Sequence, residues 1–244
     1  MYRFYCAEAD FNKPSIVITE ANEIHHIKDV LRLTKGSVIQ IFNEHSQEAN
    51  VTIEEVRLDA ILVRVDAVRQ EVQKKTRIIL ACAPPKKGKF EWIIEKCTEL
   101  GVDEIIPLKT KRSEVFFKED KMKSKLSRFE TVAINAAKQS KRTKVPYIHT
   151  MTSLPDVLQN LDPKALHLFP SLHNHPRHIC DVLVDTNQRK PVTLFIGPEG
   201  DFTPDEVDLA IKHGCLAVSL GDSVLKVETA AIAAVALVKF LYRN

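Results

Sequence analysis

Five apolar runs recur from residue 77 onward: RIILACA (Arg77 to Ala83), DEIIPL (Asp103 to Leu108), ALHLF (Ala165 to Phe169), VTLFI (Val192 to Ile196) and LAVSL (Leu216 to Leu220). Each is too short for a helix and apolar in successive positions, the composition of a strand buried on both faces in a parallel sheet. Helical periodicity fills the intervals. In KFEWIIEKCTEL, Phe90, Ile93, Ile94, Cys97 and Leu100 share one face, and Gly101 follows as a C-terminal stop. In KMKSKLSRFETVAINAAKQS, Met122, Leu126, Phe129, Ala133 and Ala136 form one stripe, with the lysines opposite. The last segment, ETAAIAAVALVKFLYRN, is apolar almost all round for three turns, as expected of a helix buried on more than one side. Strands alternating with helices specify an α/β domain whose ligand sits beyond the carboxyl ends of the strands.

The N-terminal part has a different pattern. SVIQIF (Ser37 to Phe42), ANVTIEEV (Ala49 to Val56) and AILVRVDAV (Ala60 to Val68) alternate and are rich in β-branched residues, which predicts a small barrel or sandwich. HHIKDVLRL (His25 to Leu33) predicts a short helix set into it, with Ile27, Val30 and Leu31 inward. The polar stretch RQEVQKK predicts the linker, giving domains of 1–72 and 73–244, and 244 residues suffice for both.

Net charge is only +3, yet Lys109 to Lys144 holds 12 Lys and Arg against 4 Asp and Glu, a local +8 that leaves −5 for the rest. Such one-signed asymmetry points to a polyanion, nucleic acid above all. The five cysteines are odd in number and widely spaced without a C-x-x-C, so reduced, mostly buried thiols are expected rather than disulfides or zinc. Neither a spanning helix nor a signal peptide is legible, which predicts a cytoplasmic protein. In HNHPRH, His173, His175 and His178 lack a nearby carboxylate or cysteine, so surface histidines are expected and no metal. Trp92 could stack on a base, but its place beside Ile93 favours packing.

The stretch LFIGPEGDFTPDEV (Leu194 to Val207) joins a predicted strand to a helix start, with Thr203 as N-cap, Pro204 at N1 and Glu206 at N3 completing a capping box. Gly197 and Gly200 would let backbone amides approach a ligand, with Pro198 stiffening the loop. Glu199 argues against phosphate and suits a cation or a proton acceptor; a plain turn is the alternative for the loop taken alone. A second loop, SLGDSVLKVETAA, follows LAVSL, with Gly221 after the strand and Glu228-Thr229 opening the last helix.

These two loops together resemble the SPOUT class of RNA methyltransferases, and within it the ribosomal RNA small subunit methyltransferase E family, which makes 3-methyluridine in 16S rRNA. The resemblance spans the chain: RFY at Arg3 to Tyr5 and HHIKDVLR at His25 to Arg32, then KFEWIIEKCTELGVDEIIPL and AAKQSKRTKVP, then IGPEGDFTPDE and LGDSVLKVETA. It implies an α/β SPOUT domain with a deep trefoil knot, preceded by a PUA-like β-barrel. It also implies an S-adenosylmethionine site in three loops, at Leu168, Phe169 and Pro170; at Ile196, Gly197, Pro198 and Gly200; and at Ser219, Leu220, Gly221, Val224, Leu225 and Thr229. Departures are Asp201 where the family usually has glycine, and Ser223 and Lys226 where it usually has arginine; Lys226 keeps charge but loses the planar fork.

By the same resemblance, methyl transfer to uridine N3 requires removal of its proton and no metal. Glu199 and Glu228 are the acceptor or orienting candidates, and Arg3 and Lys226 the groups that would stabilise charge on the uracil. Glu228 could equally serve only the first turn of its helix. Arg32, Lys86, Lys87, Arg112, Arg142 and Lys144 are expected on RNA phosphates, with 16S rRNA, within the small subunit, as partner. A homodimer through the last helix is expected. The alternatives are an RNA-binding protein without activity, or 2′-O-ribose methylation by the same fold.

Overall fold

The computed structural model describes residues 1–70, 76–117, 119–171, 176–186 and 190–241. It divides into two compact units, Met1–Gln73 with Ala137–Val145, and Lys74–Ala136 with Pro146–Asn244.

In the first unit, β1 (Arg3–Tyr5), β2 (Ser15–Ile18), β3 (Val38–Phe42), β4 (Gln47–Val56) and β5 (Ile61–Gln70) form one sheet in the order β1-β3-β4-β5-β2. Only β1 and β3 run parallel; the other pairs are antiparallel. Alternation in β4 buries Ala49, Val51 and Ile53, which join Phe4, Ile18, Ile39, Ile41, Ile61 and Val63 in the core. The strand SIVI of β2 has no counterpart in the sequence reading. The helical segment also differs from expectation. It starts earlier, as α1 (Ala21–His25), and continues as a π-helical turn over His26–Val30. There the Leu31 N–H reaches back to the His26 carbonyl at 2.9 Å, so the inward residues are Ile24 and Ile27, and Val30 is exposed.

The segment 137–145 is tied to this unit by one hydrogen bond and one ion pair. Arg3 Nη1 donates to the Ala137 carbonyl at 3.0 Å, its Nη2 pairs with Glu48 at 2.7 Å, and its guanidinium lies 4.2 Å from the Phe42 ring centre. Lys138 Nζ donates to both oxygens of Glu23, at 2.7 and 2.9 Å, with side-chain exposures of 15% and 8%. Lys138 therefore departs from the expected solvent-facing lysine row, because a carboxylate 115 residues away in sequence desolvates with it.

The second unit is built on a sheet in the order β11-β13-β10-β12-β6-β7-β8, with every pairing parallel. Its strands are β6 (Ile78–Cys82), β7 (Glu104–Lys109), β8 (Tyr147–Ile148), β9 (Thr152–Ser153, paired with β7), β10 (Leu166–Pro170), β11 (Arg177–His178), β12 (Val192–Ile196) and β13 (Leu216–Ser219). The five apolar runs are all strands, and VTLFI is buried at every position. The helices are α2 (Lys89–Leu100), α3 (Glu119–Gln139), α4 (Leu154–Gln159), α5 (Ile179–Asp185), α6 (Pro204–Lys212) and α7 (Val227–Leu241). Phe169 and Phe195 pack with Phe202 in a cluster shared with α4 and α6. Strand alternation therefore turns Leu168, Leu194 and Ile196 to the opposite face, where α7 packs on β6, β12, α2 and α5.

α2 ends as its sequence requires, with Gly101 at φ +105 and its N–H bonded to the Cys97 and Thr98 carbonyls. α7 buries Val227, Ala231, Ala234, Val235 and Val238, and leaves Phe240 and Leu241 exposed at its end. All five cysteines are free, and four are buried. No helix among the described residues is long and apolar enough to cross a membrane.

The buried Lys138–Glu23 pair gives a test of how the first unit is completed. Replacing Lys138 by Met leaves Glu23 without its partner, with an expected loss of about 3 kcal/mol. The double replacement by Met at both positions should recover most of that loss, as read by urea unfolding.

Candidate functional site

Because β13, β10 and β12 are neighbours and all parallel, their carboxyl ends lie on one edge, and the loops that follow them converge there. Register aligns them closely: Leu168 is level with Leu194 and Leu216, and Pro170 with Val218. A cavity of about 400 Å³ opens between these loops. Pro170 contributes from the first loop, Ile196 to Glu199 from the second, and Ser219 to Gly221 with Val224 to Lys226 from the third. Glu228, in the first turn of α7, and Lys89, the first residue of α2, close it with charge.

The second loop is a turn, with the Asp201 N–H bonded to the Pro198 carbonyl at 2.9 Å. Neither Gly197 nor Gly200 has a positive φ, so conformational freedom is not why they are glycines. A Cβ on Gly197 would come within 3.1 Å of the Phe202 ring, and one on Gly200 within 3.4 Å of Arg112 Cδ. Space for packing beneath the loop is the constraint at Gly197, whereas a Cβ on Gly200 would make only ordinary van der Waals contact. The left-handed residue is Asp201, at φ +57, whose Oδ1 accepts from the Phe202 N–H at 2.8 Å. Aspartate tolerates that conformation better than most residues, which accounts for its standing where glycine is usual. Gly221 is the opposite case. It sits at φ +123, and a Cβ there would meet nothing within 4 Å, so only backbone conformation requires glycine.

The helix start after this loop forms as expected. Thr203 and Glu206 make the full capping box, with Pro204 in the first turn. Glu206 Oε1 also accepts from the Lys111 N–H at 2.7 Å, and Arg112 Nη1 donates to the Gly200 carbonyl at 2.6 Å. The segment after β7 thus braces the loop from outside.

Two carboxylates of the wall are held differently. Glu199 Oε1 accepts from the Lys86 N–H at 3.0 Å, which fixes it to the loop after β6. Glu228 Oε1 accepts from Lys89 Nζ at 2.5 Å, with side-chain exposures of 13% for Glu228 and 42% for Lys89. The Lys89 ammonium holds the Glu228 carboxyl below the usual carboxylate range, against a smaller opposing effect of burial and with help from its own backbone amide and from Lys226.

Of the residues singled out in the sequence, the cavity gathers Glu199, Glu228, Lys226, Pro170, Ile196, Gly197, Pro198, Ser219, Leu220, Gly221, Val224 and Leu225. It does not include Leu168 and Phe169, which are buried in β10, Gly200, bonded to Arg112, or Thr229, which is exposed on α7. Arg3 is in the first unit. Arg142 is buried there, whereas Arg32 and Lys144 are exposed. Lys86 pairs with Glu114 at 2.5 Å, and Lys87 is exposed. Trp92 is 46% exposed on α2, contrary to the expected packing. His173 and His175 lie outside the described residues; His178 caps α5 by accepting from the Cys180 N–H. Among the described residues no group of three or more His, Cys, Asp and Glu is placed to hold a metal. Lys89 is a charged residue of the cavity wall that sequence reasoning missed; a lysine opening a helix directly after a strand and glycine loop is its signal.

Two measurements probe this geometry. Asp201→Gly should keep stability within about 1 kcal/mol, while Asp201→Val, β-branched at positive φ, should lose about 2 kcal/mol in denaturant unfolding. The depressed Glu228 carboxyl contributes stability that is present above its unfolded value and lost as pH falls through its folded value. Glu228→Gln should therefore narrow the difference between urea midpoints at neutral and acid pH, and added salt should shrink that effect because the pair is partly exposed.

With the geometry described, the chain can be compared with known proteins. Residues 72–239 match the model of an RNA methyltransferase domain, and residues 18–66 that of an RNA methyltransferase PUA domain. The chain is 28% identical over 232 residues to the ribosomal RNA small subunit methyltransferase E of Bacillus subtilis, covering 93% of this chain and 90% of that protein. It is 28% identical to the protein of the same name from Rickettsia conorii, covering 98% and 95%. Among solved structures it superposes with a TM-score of 0.87 on a putative methyltransferase of Legionella pneumophila in complex with its bound cofactor SAM, at 30% identity over 98% of this chain and 96% of that one. The glycine-loop cavity at the carboxyl ends of β10, β12 and β13 therefore lies in a matched RNA methyltransferase domain, and the chain belongs to that family.

Proposed function

We propose that the chain transfers a methyl group from S-adenosylmethionine to N3 of a uridine in 16S rRNA of the small ribosomal subunit. One observation carries this reading: three loops from adjacent parallel strands enclose a cavity whose wall is backbone and apolar side chains broken by three carboxylates and two lysines. The donor set fits the cofactor. Backbone groups of 196–198 and 219–221 suit the adenosine, apolar walls come from Pro170, Ile196 and Leu225, and a carboxylate favours a cationic sulfur over a phosphate. When bound, S-adenosylmethionine supplies an electrophilic methyl group.

This chain's own residues then divide the work. Glu228, whose carboxyl Lys89 holds below the usual carboxylate range, lends negative charge to the wall. Glu199, tied down through one oxygen only, takes the N3 proton, and Lys226 stabilises the charge left on the uracil oxygens. Arg3 acts at a distance: its pairing with Glu48 and the Ala137 carbonyl supports a part in shaping the first unit. Residues 1–72 serve as a PUA-like RNA-binding barrel and 73–244 as the methyltransferase domain, with the loops after β10, β12 and β13 threaded as a trefoil knot. Exposed Arg32, Lys86, Lys87 and Lys144 hold phosphates; Arg112 and Arg142 support loops or core while adding to the field. The enzyme works as a cytoplasmic homodimer with the exposed end of α7 at the contact.

The test is transfer of labelled methyl groups to small subunits lacking the modification, and to bare transcript, with nucleoside mass spectrometry of the product. Particles should react at N3 and transcript should not. Glu199→Ala should lower the single-turnover rate about a hundredfold, and Lys226→Ala should lower it less. Label on the ribose 2′ oxygen, or S-adenosylmethionine binding without transfer to any particle, would overturn the assignment.

A further inference from the structure

A lysine in the first turn of a helix is locally unfavourable, because its ammonium faces the positive end of the helix dipole. α2 nevertheless opens on Lys89, after Gly88 at φ +71 and with no side-chain cap. Its Nζ reaches across to Glu228 in the first turn of α7, where the dipole does favour a carboxylate. The pair bridges two helix starts at the cavity wall. The helices do not need it in order to associate, since α2 and α7 already pack along their buried apolar residues. What the pair changes is charge. The wall carries Glu199, Asp201 and Glu228 against Lys89 and Lys226, so Lys89 brings it to within one charge of neutrality.

We propose that Lys89 is a positioning residue that balances Glu228 and thereby sets how strongly the cavity prefers a positively charged sulfonium donor to the neutral thioether left after transfer. The inference rests on reading the cavity as an S-adenosylmethionine site. A wall with excess negative charge would hold the charged donor more tightly than the transition state, in which that charge is being lost, and such ground-state binding slows transfer. Balancing the wall avoids that loss while keeping the Glu228 carboxylate ionised and in place.

The test is calorimetric titration of the intact protein with S-adenosylmethionine and, separately, S-adenosylhomocysteine. Lys89→Met should raise the preference for the charged donor roughly three- to tenfold, the effect of one charge at partly screened range. Glu228→Gln should shift it in the opposite direction, the double variant should return near wild type, and Lys89→Arg should leave it unchanged. A role confined to structure would move melting temperatures and not this ratio. Should Lys89→Met fail to fold, the opposite shift in Glu228→Gln with none in Lys89→Arg decides the matter. Equal preference in all variants that bind both ligands overturns the inference alone. A wild-type protein that binds neither ligand overturns it together with the methyltransferase reading.

Discussion

Parallel hydrogen bonding of β10 to both β12 and β13 is the constraint on which the site depends. A parallel pair puts both carboxyl ends on the same edge, so three loops far apart in sequence meet without any side chain having to bring them together. Had one of these strands run the other way, its loop would open on the far edge and the cavity would lose a wall. The packing beneath is tied to the same arrangement. Phe202 stacks on Phe169 with ring centres 4.2 Å apart, and its ring fills the space where Gly197 would otherwise carry a Cβ. Core packing and loop shape are therefore one problem, solved by one aromatic cluster.

Much of this was legible where the signal is local. VTLFI and KFEWIIEKCTEL occupy β12 and α2 with the limits their sequences predict, because an unbroken apolar run and a glycine-stopped amphipathic stretch each determine their own ends. The capping box at Thr203 formed for the same reason. The helix of the first unit departs from its sequence pattern because a π-helical turn breaks the 3.6-residue period, which would place Val30 inward while the structure exposes it. Two-residue strands such as β8 and β11 are too short to carry any period.

Charge was less legible than hydrophobicity, since a charged residue's environment is set by partners distant in sequence. Lys138 and Arg142 lie in a basic run that reads as a solvated face, yet both are drawn into the first unit. Arg112 belongs to the same run and spends a guanidinium nitrogen on the Gly200 carbonyl. The excess charge of the run is real as a long-range field, but only part of it is exposed. Glycines show the same limit from another side. Gly197 and Gly221 look alike in sequence and are glycine for different reasons, the first for space and the second for backbone conformation. Asp201 meets a conformational demand usually met by glycine.

The two glutamates of the cavity wall show how a shared residue type acquires separate chemistry. Glu228 is bonded to an ammonium, which adds a full positive charge and so depresses its affinity for a proton. Glu199 is bonded to a backbone amide, which orients it with only a dipole. A carboxylate paired with a cation shares its charge with that partner, whereas an amide contact orients a carboxylate without setting a cation beside it. The division follows from which loop stands next to each: α2 begins with a lysine beside α7, and the loop after β6 offers Lys86 through its main chain, its own ammonium being turned to Glu114. Two lysines three residues apart thus act on the same cavity in different ways, one through its side-chain charge and the other through its peptide group.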